Sequence, residues 1–450
     1  MSEEILNLLS SALHASQADE TELVAEQVHQ GVTRYAGSRI HQTTVLDETR
    51  VWARAAIGKS VGQASGSSLE PEALRRLIED ATAVARMQAP NPHFTSLVSP
   101  EPVRSVQGYD PATAEMGSMA RAAAIGEIAA QAADRGWTVS GTYLTEGREL
   151  AVANSHGVAV WAPSSLAFLR ALPDSGAGTG YADTLSHHAS DLGPADVMAR
   201  AAAKCRRNRD QREVPPGEYV AIFDDLGVAE MLLYLARHGF NGQSYEEGTS
   251  FMSGRLGERV TGENVTIWDD GTDPRGLAIA VDYEGLPKRH LSLLEEGRAV
   301  GVAYDSDAAG RAGATSTGHA LEPEYRSYGS WPSNLFMAGG KSSVEEMIRG
   351  TERGLLVTRF HYTHCPDPKR VVMTGTTRDG TFLIEDGQIV GAVRNLRLTQ
   401  SIPELFEGIE ALGKPRLCRD WWCSNGMGRL SYVCPPIKVQ RAVFDSGTLF

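Results

Sequence analysis

Apolar residues recur at helical spacing in several parts of the chain. Near its start, Ile5, Leu8, Leu9, Ala12 and Leu13 fall close to one helical face, which predicts a first helix. Prolines and glycines mark where other such patterns begin and end. On these signals we predict further helices at residues 71–89, 113–135, 194–209, 226–238 and 342–353.

Extended patterns lie between the helices. Residues 32–62 are rich in β-branched side chains, with a polar break at 47–49, and predict antiparallel strands. Further strand-like segments follow between 139 and 161. Beyond the segment 213–217, which contains two consecutive prolines and a glycine, the chain becomes glycine-rich with many short extended runs. We interpret 213–217 as a domain boundary.

These patterns predict an α+β fold in two domains. In the N-terminal domain, residues 1–213, helices pack on an antiparallel sheet, while the C-terminal domain, residues 217–450, is mostly β. The length of 450 residues fits two domains, each large enough to bury its own core.

Composition and charge narrow the class of protein. Hydrophobic residues make up 42% of the chain and charged residues 22%, which is typical of a globular protein rather than a disordered one. Lys and Arg number 43 against 56 Asp and Glu, a formal net charge of −13. Because an acidic surface repels phosphate backbones, we expect no nucleic acid partner.

Targeting signals and cysteines point to the compartment. The acidic first residues lack the features of a secretory signal, and no stretch approaches the roughly 18 apolar residues of a membrane span. Five cysteines, an odd number without a CxxC pair, suggest free thiols in a reducing compartment. We therefore expect a cytoplasmic protein without membrane contact.

The most informative stretch is 226–258, where an apolar helix runs into a glycine-rich polar segment. Taken by itself, His238 is interpreted as a helix cap or a buried imidazole. On that helix, Leu233 and Tyr234 occupy the positions five and four residues earlier, where no second metal ligand is therefore present. One imidazole does not make a zinc site.

Short sequence blocks along nearly the whole chain occur together, and in the same order, in one known family. They include Gly248-Thr249-Ser250, and others lie at 39–65, 232–242, 253–258, 265–271, 316–320, 333–342 and 380–387. On these blocks the chain resembles the TldD/TldE (PmbA) family, two-domain proteins once called modulators of DNA gyrase.

The resemblance implies where a metal site would stand. In the catalytic branch of that family a helix carries HExxxH: two histidines bind zinc, the glutamate is the general base, and a distant cysteine is the third protein ligand. Placed on this chain, the motif falls on Leu233, Tyr234 and His238, and the cysteine on Cys423. Leucine cannot bind zinc, and tyrosine cannot replace a carboxylate as a base at neutral pH. We expect no catalytic residue, metal or other cofactor in this chain, with His238 and Cys423 as remnants.

Because it lacks the HExxxH motif, the chain resembles the TldE branch of the family. Its members pair with a TldD-like subunit that carries HExxxH and zinc, and the heterodimer removes leader peptides or degrades unfolded ones. The resemblance implies that this chain completes the substrate chamber and orients a peptide. Candidate cleft residues are His238, Asn241, Ser316, Thr317 and His319.

Other groups are weaker candidates for chemistry. His361, His364 and Cys365 could bind metal, but strand alternation would place the two histidines on opposite faces. The glycines of 176–180 suggest a phosphate loop, yet the lysine and hydroxyl of that motif are missing, so we interpret them as a surface loop.

Three arginines, Arg39, Arg50 and Arg54, alternate with apolar residues along the predicted strands. We favour a solvated sheet face for them over a contact with a peptide carboxylate. Trp421 and Trp422 fit either a core or a subunit contact, and the sequence does not choose between these.

Two rival functions remain open at this stage. One is a homodimer that binds peptides or a protein as a regulator, without peptidase activity. The other is a peptidase with an altered site built from His238, Cys423 and Tyr234.

Overall fold

An antiparallel sheet forms the N-terminal half of the protein. The computed structural model describes residues 2–420 and 430–447. The strands of this sheet pair in the order β3-β2-β1-β4-β5-β6, so that β1 and β4 lie at its centre. Their bounds are β1 (Glu20–Ala36), β2 (Arg39–Ile57), β3 (Ser60–Gly66), β4 (Thr138–Asn154), β5 (Ala159–Asp174) and β6 (Ala182–Ser186).

Amphipathic helices cover one face of this sheet. The helix predicted at 71–89 begins with Pro71 in its first turn and buries Leu74, Ile78 and Ala81 against the strands. The helix predicted over 113–135 is instead two, because Asp110 caps a short first one and the chain restarts at Gly117. The helices are α1 (Ser2–Leu13), α2 (Pro71–Met87), α3 (Pro111–Ala114), α4 (Ser118–Ala133) and α5 (Pro194–Arg207).

The opposite face of the sheet carries charged side chains among apolar ones, and the C-terminal half covers part of it. The expectation of a solvated arginine face is wrong for Arg54, which is 4% exposed. Its Nη2 donates to Glu22 on β1 and, at 3.0 Å, to Glu284 from the C-terminal half. Arg326 reaches the same Glu22 at 3.0 Å. Arg50 is partly covered and pairs with Glu322, whereas Arg39 is exposed.

The glycine segment 176–180 is not simply a surface loop. It lies between β5 and β6, and Gly178 packs so closely on the end of α5 that a Cβ atom would stand 1.6 Å from the carbonyl oxygen of Asn208. Glycine is therefore required at position 178 by close backbone approach.

The C-terminal half contains two further sheets. In the first, β12, β7, β19, β15 and β13 pair in turn, and β13 pairs back to β12, which closes the ring. In the second the order is β10-β9-β8-β11-β18-β17. The bounds are β7 (Gly217–Phe223), β8 (Ile267–Asp269), β9 (Leu291–Glu295), β10 (Arg298–Ala299), β11 (Asn334–Met337), β12 (Arg353–Asp367), β13 (Val372–Glu385), β14 (Gln388–Val393), β15 (Leu396–Ser401), β16 (Ile409–Leu412), β17 (Arg416–Cys418), β18 (Ser431–Cys434) and β19 (Ile437–Gly447).

A fully buried helix, α6 (Asp225–Tyr234), packs between these two sheets. It is apolar nearly all round, as a helix without a solvent face must be. Its last turn continues into a π-turn, Leu235–Gly239. None of the helices in the described ranges has both the length and the apolar character that a bilayer crossing requires. The remaining helices are α7 (Gly242–Glu246), α8 (Ser306–Ala312), α9 (Val344–Arg349) and α10 (Ile402–Glu407), with 3-10 turns at Ala189–Asp191 and Pro323–Tyr328.

We predict that Arg54→Ala lowers the free energy of unfolding by about 3–5 kcal/mol, because it leaves the buried Glu284 without its cation. The matched control is Arg75→Ala, which removes exposed ion pairs on α2 and should cost at most about 1 kcal/mol. Urea denaturation of both variants measures the difference. Equal losses would show that the buried network contributes nothing particular.

Candidate functional site

A cavity of about 550 Å³ lies between the N-terminal sheet and the C-terminal half. The sheet contributes Arg148 and Leu150 to its wall, and the segments 279–288 and 319–333 form the opposite side. The end of α6 and the end of β12 complete the lining. Four of the eight predicted site residues line it, namely Leu233, Tyr234, His238 and His319.

The π-turn explains how α6 presents its last residues to the cavity. The N–H of Phe240 donates to the carbonyl of Leu235, five residues earlier, at 2.8 Å. In a regular helix residues five apart point in different directions, whereas a π-turn brings them to one side. Leu233, Tyr234 and His238 all line the cavity.

Tyr234 and His238 are held in place by contacts with each other and with neighbouring side chains. The Tyr234 hydroxyl donates to Thr363 Oγ1 at 2.9 Å, and that hydroxyl in turn donates to the buried Glu230. The Tyr234 and His238 rings stack, with centroids 6.3 Å apart. Burial, assisted by the neighbouring Arg237 cation, lowers the pKa of His238 to about 4. The imidazole is therefore neutral at physiological pH.

The donor atoms at this site do not fit zinc. Leu233 has no donor, and the Tyr234 hydroxyl is committed to Thr363. Within residues 2–420 and 430–447, no three His, Cys, Asp or Glu side chains are grouped to bind a metal. Cys423, like Trp421 and Trp422, lies outside the described residues. A zinc site needs three or four ligands, which the described residues do not supply.

His319 lines the cavity, but as part of a buried chain. Its Nε2 lies 3.0 Å from Asp269 Oδ1, and its Nδ1 is 2.8 Å from Thr317 Oγ1. Burial raises the pKa of Asp269, but the Lys288 cation and the hydrogen bond from His319 outweigh this and lower it to about 2. Thr317 lies outside the cavity lining, and its Oγ1 accepts the Tyr304 N–H at 2.7 Å and donates to the Tyr304 carbonyl at 3.1 Å. The hydroxyl, imidazole and carboxylate therefore form a structural chain and not a nucleophilic triad.

Asn241, Ser316 and Thr317 lie outside the cavity lining. The Asn241 side chain caps α7 and is 2% exposed. Ser316 Oγ donates to the carbonyl of Tyr304 at 3.1 Å. These side chains fix the loops behind the wall, and His238 and His319 are the predicted cleft residues that the cavity contains.

The second histidine group is only partly at the cavity. His364 and Cys365 line it, whereas His361 does not. The strand is irregular here, since Tyr362 has a positive φ of 54° and the pairing register shifts. Burial and the Asp367 charge raise the pKa of the Cys365 thiol to about 11, so it is protonated at neutral pH and is not an activated nucleophile.

Sequence reasoning missed the charged and aromatic part of the wall. Arg148 donates to Glu26 at 2.5 Å and to the Tyr283 hydroxyl at 3.0 Å. Glu322 accepts from Arg50 Nη1 at 2.6 Å. Such contacts join positions far apart in the chain, so local sequence patterns do not predict them. The tyrosines and the tryptophan within 325–331 were a local sign of the aromatic part of the wall.

Comparisons with known proteins agree with this fold. The family model described as PmbA/TldA metallopeptidase C-terminal domain matches residues 216–446. A metalloprotease TldD homolog of Buchnera aphidicola subsp. Acyrthosiphon pisum is 27% identical over 227 residues, which are 49% of this chain and 45% of the homolog. The chain thus spans about half the length, or less, of the first TldD relatives it matches.

Longer matches extend over the N-terminal half. The metalloprotease PmbA of Escherichia coli O157:H7 is 24% identical over 369 residues, 78% of each chain. The crystal structure of TldE from Thermococcus kodakarensis superposes with a TM-score of 0.86 at 22% identity, covering 99% of this chain and 100% of that one. That likeness shows a shared α+β fold.

We predict a pH dependence that originates at Glu322. Burial, with the Glu26 charge, raises its pKa to about 7. The folded state therefore binds this proton more tightly than the unfolded one, and the stability that it contributes is lost as pH rises from about 5 to about 8.

The Glu322→Gln variant has no carboxyl group at this position that could bind or release a proton. Wild type should therefore lose on the order of 2 kcal/mol relative to the variant between those pH values. Urea denaturation at several pH values measures the difference, with the exposed Glu324→Gln as control. Parallel curves for wild type and Glu322→Gln would contradict the assignment.

Proposed function

This chain belongs to the PmbA/TldD metallopeptidase family, and on that premise we propose that it is a metal-free, TldE-like subunit of a peptidase. The zinc and its HExxxH helix would be carried by a TldD-like partner in a heterodimer. Its substrates would be peptides, either leader peptides or unfolded chains. The proposed role of this chain is to complete the chamber in which the peptide is held.

The observation that carries this proposal is the donor set at the end of α6. The π-turn aligns residues 233 and 238 on the cavity, but one is leucine. Tyr234, where a general base would stand, is a buried hydroxyl bound to Thr363. The neighbouring imidazole and thiol are not activated either, since burial lowers the pKa of His238 and raises that of Cys365.

The cavity is suited to binding. Its wall combines apolar side chains such as Leu150 and Val281 with a few fixed polar groups, as ligand pockets commonly do. Holding an extended peptide in one orientation against a partner's reactive centre needs no acid, base or ligand from this chain.

We predict that the purified chain contains less than about 0.1 zinc per molecule and cleaves no peptide, because the ligand count is insufficient. Adding an HExxxH-bearing relative from the same host should give a stable complex with both zinc and activity. Elemental analysis and peptide hydrolysis assays measure both results. Stoichiometric zinc in the isolated chain would overturn the proposal.

His238→Ala separates this proposal from a peptidase with an altered site. Loss of a general acid or base costs about 10²–10⁴ in rate, so we expect kcat of the reconstituted complex to stay within about tenfold of wild type. A change in KM is compatible with a wall residue. Loss of kcat by the larger factor would favour the altered site instead.

A further inference from the structure

Among the residues that the structure describes, the cavity contains one cation that no carboxylate neutralises. Among the described residues, its lysine and arginine side chains are Arg148, Lys288 and Arg237. Arg148 pairs with Glu26 and Lys288 with Asp269. Arg237 forms no ion pair within the described ranges.

Arg237 is also exposed to solvent at the cavity mouth. The carboxylates of the lining are engaged elsewhere: Glu322 accepts from Arg50, and Asp282 accepts backbone N–H groups of Leu286 and Ala320. A ligand that enters the cavity therefore meets an available positive charge.

Two aromatic rings fix the Arg237 guanidinium. Its carbon lies 5.3 Å from the centroid of Tyr328 and 5.6 Å from that of Trp331, and the two rings stack on each other. Such stacking leaves the N–H edge of the guanidinium available, and that edge matches a carboxylate in two-point contact.

Asn241 fixes the backbone on both sides of this stack. Its Nδ2 donates to the carbonyl of Arg237 at 3.1 Å and to that of Tyr328 at 2.7 Å. Gly329 follows with φ of 82°, and a Cβ atom there would stand 2.5 Å from Asn241 Oδ1. The cation and its aromatic platform are thus preorganised, which reduces the entropy lost when a ligand binds.

We propose that Arg237 is the anion-recognition residue of this cavity and that its ligand is a carboxylate carried by a peptide. Apolar side chains of the same wall, among them Leu233 and Ile279, would contact the neighbouring residue of that peptide. The inference rests on the proposed function only in taking the ligand to be a peptide, and it needs no partner subunit.

The test measures dissociation constants of the isolated full chain for a short alanine–leucine peptide with an N-terminal fluorophore. The peptide is prepared as C-terminal acid, as C-terminal amide, and as amides with a central aspartate or asparagine. Wild type should bind at least one acid form about tenfold more tightly than its neutral counterpart. If the C-terminal acid and amide differ in affinity, the recognised carboxylate is the terminal one. If the aspartate and asparagine peptides differ, it is a side chain.

Arg237→Met should remove that preference, and Arg237→Lys should keep part of it, since the charge remains without the planar fork. Arg209→Met is the matched control, because Arg209 lies 5.6 Å over Trp137, outside the cavity. It should bind as wild type does. Circular dichroism confirms that each variant is folded.

Equal affinities of wild type for acid and neutral forms, no binding of any form, or a preference that survives in Arg237→Met would each overturn the inference. None of these results changes the zinc content of the chain. Conversely, zinc in the isolated protein would overturn the proposed function and leave the carboxylate preference standing.

Discussion

The arrangement of the two halves depends on the buried ion network around Arg54. A guanidinium and two glutamates removed from water are costly unless each is paired, so the network is stable only when Glu284 from the C-terminal half meets Arg54 and Glu22 on the sheet. Glu284 follows Asp282 and Tyr283, which line the cavity. A contact that joins the halves therefore also holds one wall of the site.

Three side chains of that cavity that could take part in catalysis are not activated. Its imidazole at His238 is neutral, its thiol at Cys365 is protonated, and its hydroxyl at Tyr234 is bound. Reactive centres are usually recognised by groups whose pKa lies near the working pH and whose geometry converges on one reacting atom. Glu322, whose pKa is raised to about 7, meets the first criterion, but its carboxylate is bound to Arg50, and the polar groups stabilise the wall, which supports a role in holding a ligand.

Much of the architecture could be predicted from local patterns. Helical periodicity and a leading proline identified α2, and the apolar run at 226–238 predicted the helix that the structure contains as α6. The charged face of β2 was misread because alternation shows that a strand has two faces but not what covers each; the residue that covers Arg54 lies 230 positions away. Arg237 was missed for a related reason, since a helical wheel assumes a regular turn and its aromatic partners come from a distant segment.

The π-turn at Leu235–Gly239 has a consequence for how this helix can vary. Each residue added to or removed from a helix rotates everything beyond it by about 100°. A π-turn instead absorbs one extra residue, so deleting one residue from it would restore a regular helix and leave Phe240 and Asn241 close to the loops that they anchor. The widened turn therefore sets the spacing of the residues that reach the cavity from one side of the helix, which is five positions from Leu233 to His238 where a regular helix would need four.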